Sequence, residues 1–240
     1  MAHVIPFHGT LYNPATVGDV RQVVAPPYDI IDATLQKTLH DRHPNNVIRL
    51  ELGYEQPGDT TGDNKYLRAA GALKEWLKSG ALRRDDKPAI YYHTIEYQPP
   101  YSAPGTPTKV FKGFLSTVEL EEFGSGKIYP HENTRAAAKT DRFNLLEACR
   151  ANFSAIISLY SDPQNDVLTL IEQSIASDKP RIDFQDDVGF RQRLWSVTDP
   201  AVLAKVVEIM HTKQLFIADG HHRYETALNY RRARRQQAGA

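Results

Sequence analysis

Between Leu215 and Leu228 the chain reads LFIADGHHRYETAL, which puts two histidines and an arginine where a helix begins. Leu215 to Ala218 has the apolar run of a short strand and Asp219–Gly220 supplies a turn. Tyr224, Ala227 and Leu228 then recur at the spacing of one helical face. The first turn of such a helix leaves backbone N–H groups without partners. Positive side chains there oppose the helix dipole, at about 0.3–1 kcal/mol each when exposed. A bound anion resolves that conflict. Gly220 permits close backbone approach, and His221, His222 and Arg223 offer separate donors to separate oxygens, Arg223 in a bidentate fork. Asp219 is placed to hold Mg²⁺ or to orient a histidine. A transition metal fits less well, because adjacent helical side chains diverge by about 100°. The plain alternative is a basic surface patch at an ordinary helix start. Phosphate binding fits the turn best.

A second dense stretch, KIYPHENTRAAAKTDRFNLLEA, runs from Lys127 to Ala148. Asn133 or Thr134 is placed to cap a helix extending to Arg150, on which Lys139 and Arg142 share a face three residues apart. Glu132 or His131 then supplies a general base, and Lys139 and Arg142 supply phosphate-binding cations. The competing reading is a capped, salt-bridged surface helix. GSGK, residues 124–127, is not a phosphate-binding P-loop, since Glu121 stands where the first glycine belongs and Ile128 follows the lysine.

The elements that must carry these groups alternate along the chain. VVAPPYDII (23–31) forms an extended turn from which Asp29 projects, and a short helix follows to His40. His43–Asn46 reads as a turn into NVIRLEL (46–52), which alternates as a strand. A helix from Lys65 to Lys78 closes at Gly80. AIYYHTIEY (89–97), VFKGFLSTVEL (110–120), AIISLY (155–160) and RLWSV (193–197) are strands. Asp166–Ala176 is a helix, and a further one starts at Pro200 under an Asp199 cap. Trp76 and Trp195 read as core residues. The expected fold class is mixed α/β, without the regular βαβ spacing of a doubly wound sheet.

Composition narrows the classes. Of 240 residues, 41% are hydrophobic and 24% charged, the profile of an ordinary globular chain. Lysine plus arginine and aspartate plus glutamate are 29 each, so no basic excess points to a nucleic-acid partner. The single cysteine, Cys149, forms no intramolecular disulfide. MAHVIPFHG lacks the charged and apolar regions of a signal peptide, and no apolar run nears the roughly 18 residues of a membrane span. A cytoplasmic protein is expected, as one compact unit with an N-terminal part (about 1–85) and a part that carries the phosphate-binding turn (about 86–240).

PFHGTLYNP, VVAPPYDII, RHPNNVIRLELG, PHENT, TDR and IADGHHRYETAL occur in this order. Together they resemble bacterial domain-of-unknown-function family 1015 over nearly the whole chain. Members of that family continue past the last motif, so the resemblance implies either a truncated or an atypical version. DGHHRYETA by itself is similar to the helix-start motif of the ParB/sulfiredoxin superfamily, including the free-serine kinases. That likeness implies a ParB/sulfiredoxin-like core with an N-terminal elaboration, a site for ATP or ADP with Mg²⁺, and a kinase-like small-molecule phosphotransferase. The N-terminal glutamate that serves those kinases as base has no counterpart, the corresponding region offering Asp29. Two other functions fit the same residues: a non-catalytic nucleotide-gated switch or scaffold, as in the ParB clamps, and a metal-dependent hydrolase built on the histidines.

Gln98–Thr108 contains four prolines and little to bury, so it reads as a mobile surface loop. Limited proteolysis is expected to cut there first. Equal protection of that loop and its flanking strands would sink the expectation.

Overall fold

The structure, a computed structural model, describes residues 2–103, 105–132 and 136–239, with only the backbone of 136–138. Asn133 and Thr134, the expected cap residues, lie outside the described residues. In chain order the first elements are β1 (Val4–Ile5), β2 (Thr10–Tyr12), α1 (Pro14–Val17), α2 (Ala33–Arg42), α3 (Ile48–Glu51) and α4 (Lys65–Ser79). Next come β3 (Leu82–Arg84), β4 (Ile90–Tyr97), β5 (Lys109–Leu115), β6 (Thr117–Val118), β7 (Ile128–Tyr129), α5 (Ala136–Cys149) and β8 (Ile157–Leu159). The last are α6 (Asp166–Ser174), β9 (Ile182–Gln185), β10 (Arg191–Val197), α7 (Pro200–His211), β11 (Leu215–Asp219) and α8 (His221–Ala238). The class is mixed α/β, with helices and several small sheets, as the sequence predicts. None of the helices among the described residues is long and apolar enough to cross a membrane.

These elements divide into two compact units that interleave along the chain. One takes the chain up to Thr10, Arg84–Glu119 and Tyr160–Gln214; the other takes Leu11–Arg83, Leu120–Leu159 and the chain from Leu215. The first unit is built on an antiparallel sheet in the order β5-β4-β10-β9. Tyr92 faces α6, where its hydroxyl bonds Glu172, and Lys112 reaches the same carboxylate at 2.7 Å. Tyr91 points the other way, donating to Asp85 at 2.8 Å and accepting from the Gly9 N–H at 2.7 Å. That contact requires glycine: a Cβ at position 9 would lie 2.5 Å from the Tyr91 ring. Asp199 caps α7 through Ala201 and Val202, with Pro200 in the first turn, as its sequence predicts.

The second unit carries every residue singled out for phosphate chemistry. Its sheet runs β7-β11-β8, with β11 parallel to β7 and antiparallel to β8. Helix α5 packs against both α4 and α8. Val17, Val23, Leu50, Trp76, Ala81 and Leu82 form a core cluster joined by Tyr12 and Phe153.

One element departs from expectation. NVIRLEL, which alternates like a strand, contains the short helix α3. The reason is Asn46, a fully buried side chain that the alternation conceals. Its amide donates to the carbonyls of Gln22 (2.8 Å) and Val24 (3.0 Å), and its oxygen accepts from the Ile48 N–H at 3.0 Å. That bond starts a helical turn, and the turn buries Ile48 and Leu50. Asn46→Ala leaves one buried and two part-buried backbone groups without their partner, so it should lower unfolding stability by about 2–3 kcal/mol. Urea titration measures this directly, and a loss below about 0.5 kcal/mol would refute the assigned role.

Candidate functional site

Strand β11 delivers Asp219 to a turn whose next residue, Gly220, sits in the left-handed region at φ 95°, ψ 29° and precedes α8. Only glycine takes this conformation without strain. A second constraint applies here, since a Cβ at 220 would lie 3.0 Å from the Arg223 guanidinium carbon. Arg223 folds back over the turn, bonding the Asp219 carboxylate and the Ala155 carbonyl just before β8. Its side chain is 15% exposed, whereas Asp219 remains 53% exposed. The arginine therefore reaches any ligand already paired and pinned. His222 follows on the same turn, half-buried.

His221 is the buried member, with 2% exposure. Its Nε2 accepts a hydrogen bond from the His131 backbone N–H at 3.2 Å, and the two rings meet edge-on at 4.5 Å. Burial above all, then the nearby His131, lowers its pKa despite opposing pulls from Glu132 and Asp219. A neutral imidazole accepting at Nε2 carries its proton on Nδ1. His221 thus enters the site as a hydrogen-bonding group rather than as a positive charge at neutral pH.

Nδ1 of His221 points toward Glu132, 3.6 Å from Oε2. The other carboxylate oxygen, Oε1, stands 3.6 Å from Nε2 of His131. His131 is fixed by Nδ1, 2.7 Å from the Ile217 carbonyl; a carbonyl only accepts, so that nitrogen bears hydrogen. Glu132, 61% exposed, therefore lies between two oriented imidazoles. Both distances exceed a direct hydrogen bond. The structure brings Glu132, His131, His221 and the Asp219–Arg223 turn together, although His131 and Asp219 are far apart in sequence.

Lys139 and Arg142, expected on one face of α5, turn to different partners. Lys139 bonds Glu225 of α8 at 2.7 Å. Arg142 is buried, donating to the Glu51 carboxylate (2.8 Å), the Glu51 carbonyl (3.1 Å) and Asp141 (2.9 and 2.6 Å). Asp141 also accepts from Lys65 (2.8 Å) and the Tyr66 hydroxyl (2.9 Å). Burial would raise the Asp141 carboxyl, but Lys65 and Arg142 outweigh it and hold the pKa below the usual range. Sequence reasoning did not find Glu51 as the arginine's partner, because a strand reading of its segment gives no reason to turn a glutamate inward. Tyr28, whose ring lies 4.2 Å from the Arg142 guanidinium, was missed as well. Asp29 is exposed on the short 3₁₀ turn that Tyr28 begins. Among the described residues no three histidine, cysteine, aspartate or glutamate side chains are grouped to hold a metal ion.

The family model described as "Protein of unknown function (DUF1015)" matches residues 4–240, nearly the whole chain. No curated protein and no solved structure matches it.

The buried imidazole gives the site a pH signature. The folded pKa of His221 lies below its ordinary value of 6.5, so the unfolded chain takes up the proton first. The stability contribution is present above pH 6.5 and is lost as the pH falls below it. His40 and His93, also lowered by burial, act in the same direction. His221→Gln should therefore flatten the fall in unfolding free energy between about pH 6.5 and 5, by up to about 1.4 kcal/mol per pH unit. Denaturant titrations across that range measure the slope, and an identical slope in both proteins would contradict the buried neutral state.

Proposed function

We propose that this chain, which belongs to the DUF1015 family of proteins of unknown function, binds a nucleotide and transfers its phosphoryl group to a small molecule. The observation that carries the reading is the Glu132 carboxylate, held 3.6 Å from each of two imidazoles beside the start of α8. Phosphoryl transfer needs a carboxylate near the attacking hydroxyl and donors around the transferred group, with little covalent work by the protein. Glu132 takes the hydroxyl proton as the acceptor oxygen bonds to phosphorus and the leaving nucleotide oxygen departs. His221 Nδ1–H steadies one carboxylate oxygen, and His131 Nε2 faces the other, where the abstracted proton can be shared.

The α8 start supplies backbone N–H groups and the favourable end of the helix dipole for the phosphates. Asp219, half exposed with one oxygen engaged by Arg223, is the residue that would hold Mg²⁺ together with the phosphates. The similarity of DGHHRYETA to the ParB/sulfiredoxin helix start supports the same assignment and a core of that kind.

Calorimetry with ATP and ADP, each with and without Mg²⁺, tests binding. Labelled nucleotide incubated with a metabolite pool tests transfer. Glu132→Gln should lower turnover by about 10²–10⁴-fold while leaving nucleotide affinity within about twofold. No binding of any nucleotide would overturn the proposal. Binding without transfer would favour the non-catalytic nucleotide-gated switch, and joint loss of affinity and turnover in the variant would mark Glu132 as structural.

A further inference from the structure

The first unit carries a side-chain cluster that the function proposed above does not use. His3, Glu119 and His211 are remote in sequence, yet all three belong to that unit. Backbone pairing brings them to one place. The Glu119 N–H donates to the His3 carbonyl at 2.9 Å, extending the β1–β6 ladder by one residue. The Ala2 N–H donates to the Lys213 carbonyl, also at 2.9 Å, and so ties the chain just beyond α7 to the start of β1. His211 is the last residue of α7. The positions of the three residues are therefore set by main-chain bonds and not by the side chains themselves.

Their side chains then reach solvent together. The imidazoles of His3 and His211 stand edge-on, with centroids 6.2 Å apart and planes at 88°. All three residues are exposed. Nδ1 of His3 lies 3.3 Å from Oε2 of Glu119. A carboxylate only accepts, so this nitrogen bears hydrogen, and the lone pair of the neutral ring is left on Nε2. A carboxylate set behind an imidazole in this way orients the ring for a metal ion and raises its basicity.

The spacing suits a shared ion. With metal–nitrogen bonds of about 2.0–2.1 Å, two imidazole centres on one ion stand roughly 5–6 Å apart. The observed 6.2 Å is close to that span, and rotation of exposed side chains closes the remainder. Mg²⁺ and Ca²⁺ prefer oxygen ligands, whereas imidazole suits Zn²⁺, Ni²⁺ and Cu²⁺. We infer that His3 and His211 form a two-histidine site for a first-row transition-metal ion, with Glu119 as the carboxylate that orients His3. Water completes the coordination, since among the described residues no third ligand is grouped with the pair. The bound ion links the β1–β6 ladder to the end of α7, and it stabilises the folded chain as any ligand of the native state does.

Calorimetry with Zn²⁺ on the whole chain tests the site, with Mg²⁺ as the control ion. One zinc-binding event of the wild type should weaken at least about tenfold in His3→Gln and in His211→Gln, each of which removes a ligand. Glu119→Gln should weaken the same event by about tenfold or more, as loss of an orienting carboxylate does. Mg²⁺ should not compete. Each change falls on an exposed side chain, so metal-free melting temperatures should stay within about 2 °C of wild type. Zinc should raise the melting temperature of the wild type more than that of either histidine variant. A wild type that binds no zinc overturns the inference, as does zinc binding that both histidine variants retain. Loss in His3→Gln with full retention in His211→Gln also overturns it, because the ion would then be held without α7. Unchanged affinity in Glu119→Gln overturns the role given to that carboxylate.

Discussion

Three nearly consecutive residues of α5 fasten the second unit, and the buried Arg142 is the one on which the others depend. Its side chain is 7% exposed, so an unpaired charge there would cost several kcal/mol of lost solvation. Glu51 and Asp141 make the burial tolerable, and in doing so they fix geometry. Through Arg142, α5 is joined to the end of α3; through Asp141, to Lys65 and Tyr66 of α4; through Lys139, to Glu225 of α8. A helix tied on three sides cannot slide without separating a buried ion pair. Helix α8 is joined to that arrangement in its first turns, through Glu225.

The same logic explains how a helix can begin with two histidines and an arginine. Counted from sequence, these are cations set against the dipole. In the folded chain His221 is neutral because burial disfavours its charged form, and Arg223 is cancelled by Asp219 four residues earlier. What faces the positive end of the helix is a pair of carboxylates, Asp219 and Glu132, which the dipole favours. The electrostatic conflict is resolved inside the protein. That removes the charge conflict from which the sequence argued for an anion, and under the proposed function only the backbone N–H groups of the helix start are left to favour one.

Much of the fold was legible where local chemistry decides it. Gly80 in the left-handed conformation closes α4, and Asp199–Pro200 opens α7, each from side-chain and backbone rules that act over a few residues. Strands β4 and β10 followed from apolar and aromatic runs. What failed was a segment whose conformation is set from a distance. Asn46 takes its partners from Gln22 and Val24, so the helix at Ile48 depends on a chain segment more than twenty residues away. The interleaving of the two units is of the same kind, since no composition shift marks Leu11, Arg83 or Leu120. In the candidate site, the residue types at the α8 start were readable and their states were not. Exposure and pairing determine whether a histidine or arginine acts as a charge, and both are tertiary quantities.

Those states bear on what the proposed site can accept. The buried or pinned members are His221, Arg223 and Arg142; the members that reach solvent are the carboxylates of Glu132 and Asp219 and the ring of His131. A polyphosphate approaching such a face meets negative charge first, and the paired arginine behind it repays little of that repulsion. Under the proposed function Asp219 would hold a divalent cation, whose charge would offset that repulsion. Glu132, 3.6 Å from each imidazole, would then remain to serve as the proposed base. Under the proposed function the nucleotide is therefore recognised as its magnesium complex.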